Sequence, residues 1–141
     1  MFGLLALVTA SLFTGAAFYI NFAEQPARLS LGDASLLAEW KPAYRRGFTM
    51  QASLAVIGAC LGTLEWSVSG NYIWLFGAVL ILANWPFTLF AIMPINKKLE
   101  ETPSDAAGPE TRALIVAWGL RHAVRTALGA AAMLVFLWAA L

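Results

Sequence analysis

Four stretches of this chain are long and apolar enough to cross a lipid bilayer, and this feature constrains the fold more than any other. A bilayer crossing requires about 20 largely apolar residues in one helix. The stretches that qualify are Phe2–Phe22, Gly47–Leu64, Tyr72–Pro94 and Ala113–Leu141. Only 12% of the 141 residues are charged, against about 25% in soluble domains. We therefore expect an integral membrane protein.

The connections between these stretches are short, which favours an all-α, up-down-up-down four-helix bundle and one transmembrane domain over residues 1–141. They are Ala27–Pro42, Glu65–Asn71 and Asn96–Arg112. All 9 basic residues lie in the first or third connection or in the helix ends beside them. The positive-inside rule then predicts that these two connections face the cytoplasm and that both termini lie outside.

The fourth predicted span carries polar side chains where a membrane helix rarely has any. Trp118, His122 and Arg125 stand at i, i+4 and i+7, so they share one helix face. A cation inside a membrane segment costs at least ~2.5–3.5 kcal/mol on insertion scales and usually marks a functional site. Burial and a nearby arginine both favour a neutral imidazole at His122, the sole histidine, which can then act as a base or bind a metal.

All four spans place polar residues in the half of the membrane nearest the basic connections, whereas the other half is nearly apolar. We therefore expect a cavity in that half, with apolar walls and a few polar groups. The residues expected to line it are Asn21, Glu24, Tyr44, Asn84, Trp85, Trp118, His122 and Arg125. A buried carboxylate requires a cation, so Glu24 should pair with Arg28, Arg125 or Arg46.

Several common functional sites are excluded by the composition. One histidine cannot supply a bis-histidine haem within one chain, and Cys60 alone cannot form an internal disulfide or a multi-cysteine metal site. The chain has no Gly-rich phosphate loop, HExxH or GxSxG motif. The net charge of +1 gives no support for nucleic-acid binding. No cofactor and no metal site are therefore predicted.

Motifs of mixed polar and aromatic residues follow one another along nearly the whole chain. They are Glu24-x-Pro26-x-Arg28, Trp40-x-Pro42-x-Tyr44-x-Arg46, Pro94-x-Asn96, and Trp118 through His122 to Arg125. In order and spacing they resemble the anthrone oxygenase-like family, small four-helix membrane proteins mostly without an assigned substrate. A few members oxidise anthrones to anthraquinones with molecular oxygen, without an organic cofactor or metal.

The resemblance also implies a location and a set of site residues. Most members are bacterial, so we expect the inner membrane of a bacterium. Carried over by position, the implied site residues are Glu24, Arg28, Tyr44, Arg46, Asn96, Trp118, His122 and Arg125.

Three functions fit these residues. The first is a membrane oxygenase or oxidase of a small lipophilic phenolic or anthrone-like molecule, in which His122 removes a proton and Arg125 or Arg28 stabilises an oxyanion. Glu24 joins this catalytic set, and Tyr44, Trp85 and Trp118 stack on the substrate. The second is a non-catalytic binder or carrier of a small lipophilic anion held by the same arginines. The third is a structural subunit of a membrane complex, or a homo-oligomer with a haem between two chains.

Overall fold

The computed structural model describes residues 1–141 and consists of four long helices without strands. All four helices are long and apolar enough to cross a membrane. They are α1 (Phe2–Leu29), α2 (Asp33–Ser69), α3 (Tyr72–Glu101) and α4 (Pro109–Ala140). The expected all-α fold built from membrane-spanning helices is therefore confirmed. A short 3-10 turn, Ser104–Ala106, lies between α3 and α4.

The first connection is much shorter than the hydropathy pattern predicted. Because α1 continues to Leu29 and α2 begins at Asp33, most of the predicted connection Ala27–Pro42 is helical. The first turns of α2 are amphipathic, with Leu36, Leu37 and Trp40 fully buried. Hydropathy averaged over a window does not detect a helix that is apolar on one face only. The third connection, predicted as 96–112, shortens in the same way to 102–108.

The helices form a ring in which α1 and α3 each pack against both α2 and α4. At one end, Arg112 of α4 donates a hydrogen bond of 2.6 Å to Asp33 at the start of α2. At the same end, Lys41 of α2 donates one of 2.6 Å to the carbonyl of Thr102, just after α3. This end is called the loop end. The opposite end, which holds Met1 and the turn between α2 and α3, is called the terminal end.

The terminal end is filled by apolar side chains packed around small residues. Phe136 of α4 lies against Gly62 and Gly77, where an added Cβ atom would stand 2.9 and 2.5 Å from its ring. Small residues let helix backbones approach closely in lipid. A second apolar cluster at the loop end includes Leu36, Trp40 and Trp118. Along α2, α3 and α4, buried polar residues lie between the members of the two clusters: Gln51, Asn84, Thr88, His122 and Arg125.

Two π-helical turns widen the helices at this intermediate level. They span Ile20–Glu24 in α1 and Thr88–Ile92 in α3, and each is closed by an N–H that bonds five residues back. A proline, Pro26 or Pro94, follows the closing residue in each case. Proline lacks an N–H and its ring displaces the carbonyl four residues earlier, which disturbs the regular ladder. Such turns are frequent at functional sites.

Candidate functional site

A cavity lies at the level of the two π turns, where polar residues of all four helices converge. It holds about 360 Å³ of space between atoms, its mouth included. The space is narrow, so that a water molecule fits whereas a three-ring aromatic compound requires side chains to move. This first cavity is lined by Ile20, Glu24, Arg28, Ala43, Tyr44, Gly47, Phe48, Gln51, Thr88, Ile92, Asn96, Trp118, His122 and Arg125.

The face of α4 that carries Trp118, His122 and Arg125 lies against this first cavity. Trp118, His122 and Arg125 all line it, and only 1% of His122 and 7% of Arg125 is exposed. The Trp118 ring stacks on the imidazole, with 5.0 Å between ring centroids. On α1, the amide oxygen of Asn21 lies 2.9 Å from Nδ1 of His122. The imidazole is therefore held by neighbours on two helices.

Asn21 was expected to line the cavity, but it is not among the residues around the first cavity. Its Nδ2 donates a hydrogen bond of 2.9 Å to the carbonyl of Gly119. Its Oδ1 accepts one of 2.8 Å from the hydroxyl of Thr126 and faces His122. Both ends of the amide are thus engaged by α4. Asn21 therefore positions the imidazole of His122.

Arg125 is a buried cation without an anionic partner. No carboxylate lies within ion-pair distance of its guanidinium, and its Nε makes no hydrogen bond. The Cζ atom lies 5.6 Å from the ring centroid of Phe13, a distance typical of cation–π contacts. A cation at this depth attracts any anion that enters the cavity, because little solvent screens it.

Arg28 differs from Arg125 because two carboxylates already surround it. It pairs with Glu24 one turn earlier in α1 and with Glu39 of α2, whose Oε2 lies 2.9 Å from its Nε. The guanidinium is only 3% exposed. The expected pairing of Glu24 is thus made with Arg28 and not with Arg125 or Arg46. Two carboxylates on one cation leave Arg28 less able to attract a further anion.

Three further polar side chains in the first cavity have no hydrogen-bond partner. Both polar atoms of Gln51 and of Asn96 and the hydroxyl of Thr88 are buried and unpaired. Such groups are unfavourable away from water, so they mark positions where water or polar ligand atoms bind. Asn96 was expected at the site, whereas Gln51 and Thr88 were not. The sequence could have indicated Gln51, because it is a lone amide in an apolar stretch. Thr88 could not have been found in this way, because threonine is common in membrane helices.

Two of the aromatic residues expected to stack on a ligand, Tyr44 and Trp118, both pack on a third ring, Trp40. Tyr44 stacks on Trp40, with ring centroids 4.8 Å apart and an interplanar angle of 5°. Trp118 meets Trp40 edge-on at 5.8 Å, and the Cζ of Arg28 lies 5.7 Å from its ring centroid. Both Tyr44 and Trp118 line the first cavity, so they form a packed aromatic wall.

Three other predicted site residues lie outside the first cavity. Arg46, which the resemblance implied as a site residue, is exposed and borders a shallow surface groove. It stands two residues after Tyr44, about 200° around the helix, so the two side chains point in different directions. Asn84 and Trp85 line a separate space between α2 and α3, called the second cavity.

The comparisons with known proteins agree with the resemblance of the motifs. The sequence model of the family described as anthrone oxygenase matches residues 40–135. That segment contains the cavity-lining residues of α2, α3 and α4, whereas Glu24 and Arg28 precede it. No curated protein and no solved structure matches the chain significantly. Because the matched segment covers more than half of the sequence, the chain belongs to the anthrone oxygenase family.

Proposed function

We propose that this protein is a membrane-embedded oxygenase that oxidises a small lipophilic phenolic or anthrone-like molecule with O2. The observation that carries the proposal is the joint presence of His122 and the unpaired Arg125 in one buried cavity. A base and a free cation together suit the removal of a carbon-bound proton, because the cation stabilises the negative charge that results. Family membership adds the class of substrate.

The overall reaction converts one anthrone and one O2 into one anthraquinone and one water. His122 takes a proton from the methylene carbon opposite the carbonyl, and the charge spreads to the carbonyl oxygen as a phenolate-like oxyanion. The electron-rich carbon then transfers electrons to O2 and forms a carbon–oxygen bond. Loss of the second methylene proton and cleavage of the O–O bond give the new carbonyl. The other oxygen atom leaves as water with both protons.

Within this proposal Arg125 stabilises the oxyanion, since it has no competing carboxylate. Arg28 contributes less, because Glu24 and Glu39 already neutralise it. Gln51, Asn96 and Thr88 supply unpaired polar groups for the substrate's hydroxyl and carbonyl oxygens. Glu24 lines the cavity at its partly exposed rim, where it can return a proton to solvent.

The test is turnover by purified protein in nanodiscs with 1,8-dihydroxyanthrone, followed by O2 consumption and by quinone absorbance. Replacement of His122 by Ala should lower the rate about 10²–10⁴-fold, the usual contribution of a positioned base. An Ala variant of exposed Lys97 serves as the control, and the spontaneous oxidation of the anthrone in empty nanodiscs is subtracted. A rate above background that is unchanged in His122→Ala would remove His122 from the mechanism.

The unpaired Arg125 also favours a second candidate, a non-catalytic binder of a small lipophilic anion. In that case His122→Ala should leave affinity unchanged while Arg125→Gln abolishes it. Native mass spectrometry of the purified protein with 4-hydroxybenzoate measures both effects. The third candidate, a haem shared between two chains, is disfavoured because His122 is enclosed by its own bundle, only 1% exposed.

We further propose that the loop end faces the cytoplasm of a bacterial inner membrane and that both termini lie outside. Most basic side chains, including Lys41, Arg45, Lys97, Lys98 and Arg112, belong to the helix ends and connections of the loop end. The terminal end has no basic side chain. By the positive-inside rule, the end that carries the basic side chains faces the cytoplasm.

A further inference from the structure

The second cavity adjoins the first, and three residues line both. It lies between α2 and α3 and holds about 290 Å³ of space, its mouth included. It is as narrow as the first cavity, so an aromatic ring enters it only when side chains move. Phe48, Thr88 and Arg125 line both cavities. These three side chains therefore lie at the boundary between the two spaces.

Polar groups without partners are found in the second cavity as well. The Oδ1 of Asn84 and the Oγ1 of Thr88 are buried and accept or donate no hydrogen bond, and the Nε of Arg125 is equally unpaired. The exposed fractions of these residues are 1%, 5% and 7%. Asn84 is held in place because its Nδ2 donates a hydrogen bond of 3.0 Å to the carbonyl of Ile81. Its free oxygen is thus a fixed acceptor.

The mouth of the second cavity faces the surface that α2 and α3 present to lipid. Trp85 and Leu89, which line it, are 39% and 48% exposed. An apolar surface groove continues from the mouth along Val56 and Ile57 of α2. The indole N–H of Trp85 donates a hydrogen bond of 3.3 Å to the carbonyl of Ala52, which joins the two helices at the rim. Molecules dissolved in the acyl chains thus reach this mouth without crossing water.

The space exists because of local sequence features. Ala52 and Ala55 present small side chains on α2. On α3, Pro86 supplies no N–H to the helix ladder, so the carbonyl of Leu82 lacks its usual partner. A carbonyl freed in this way is tolerated at membrane depth where it lies beside a cavity.

We propose that the second cavity is the membrane-side access and outer binding subsite for the substrate of the first cavity. The ligand is a flat aromatic molecule that carries a ketone, phenol or carboxylate. Its polar group binds Asn84, Thr88 and Arg125, while Trp85 and Leu89 contact its apolar part. Passage to His122 follows displacement of Phe48. The identity of the substrate rests on the proposed function, but the location of the subsite does not.

Photolabelling tests the subsite without any turnover. The protein is placed in nanodiscs with 4-benzoylbenzoate, an anionic diaryl ketone that forms covalent adducts under near-ultraviolet light, and the labelled peptides are mapped by mass spectrometry. Adducts are expected in segments 48–55 of α2 and 84–89 of α3. Ala52→Phe should reduce labelling roughly tenfold, because one added ring overpacks the space. Cys60→Phe adds the same ring on the exposed face of the same helix and should leave labelling unchanged.

Equal labelling of Ala52→Phe and Cys60→Phe would overturn the proposal, as would adducts confined to other lipid-facing residues. If Ala52→Phe fails to fold, the smaller Ala52→Val and the adduct map of the unaltered protein decide the question. Correct labelling without anthrone oxidation would refute the proposed function and leave the subsite intact. Anthrone oxidation that is insensitive to Ala52→Phe, with no adducts at the seam, would refute the subsite alone.

Discussion

Nδ1 of His122 lies 2.9 Å from Oδ1 of Asn21, and this contact fixes which nitrogen of the imidazole carries the proton. Asn21 donates through Nδ2 to the carbonyl of Gly119, so its oxygen must be the atom that faces the ring. An amide oxygen only accepts, so Nδ1 of His122 must donate. In the neutral ring Nε2 is then the bare nitrogen, and it makes no hydrogen bond within the protein.

Nitrogen-15 NMR can test this tautomer directly, because His122 is the single histidine of the chain. Labelling histidine with nitrogen-15 gives ring signals from one residue only. The expected spectrum shows a protonated Nδ1 and an unprotonated Nε2. Asn21→Leu should remove the constraint and produce a mixture of tautomers, whereas Asn71→Leu at the terminal end should not. A protonated Nε2 in the unaltered protein would exclude it as the base.

Replacement of Arg125 by Met should abolish ligand binding and turnover without lowering thermal stability. Arg125 has no carboxylate partner, so its removal leaves no buried carboxylate unpaired. An apolar side chain of similar volume at a buried charged position is often neutral or stabilising. Arg28→Met is the matched comparison and should be destabilising, since it strands Glu24 and Glu39. Melting temperatures in detergent measure both. Equal destabilisation of the two variants would mean that Arg125 has a structural partner.

Glu24→Gln should destabilise the protein more than Glu101→Gln. Glu24 pairs with the buried Arg28, and a hydrogen bond to a charged group contributes about 1.5–3 kcal/mol. The loss is expected to stay below the ~3–5 kcal/mol of a fully buried pair, because Glu39 remains beside Arg28. Glu101 is exposed and unpaired, so its neutralisation is the control. Indistinguishable unfolding curves would place the Glu24 carboxylate in solvent.

Cysteine labelling should place the two ends of the bundle on opposite sides of the membrane. In a Cys60→Ser background, Ser104→Cys in the connection after α3 should react only when a membrane-impermeant maleimide reaches the cytoplasm. Ser69→Cys at the end of α2 should react from outside in intact cells. The reason is the concentration of basic residues at the loop end. Reaction of both cysteines from the same side would contradict the proposed orientation.

Local sequence patterns determined the fold class and part of the site. The four apolar stretches are enough to require membrane-spanning helices, since a helix is the only single segment that satisfies its own backbone in lipid. The spacing of Trp118, His122 and Arg125 places them on one face whatever the rest of the chain does. A separation of four residues allows the Glu24–Arg28 pair, but the sequence left Arg125 and Arg46 open as partners, and the structure selects Arg28.

The tertiary structure alone decided which polar residues meet across helices. Whether Asn21 faces a ligand or His122, and whether Asn84 joins the first cavity or the second, depends on the rotation and register of each helix. The π turns at Ile20–Glu24 and Thr88–Ile92 each add a residue to one turn and rotate all that follows. The pattern of apolar residues does not predict that rotation, because in lipid the outward face of a helix is as apolar as its packed face.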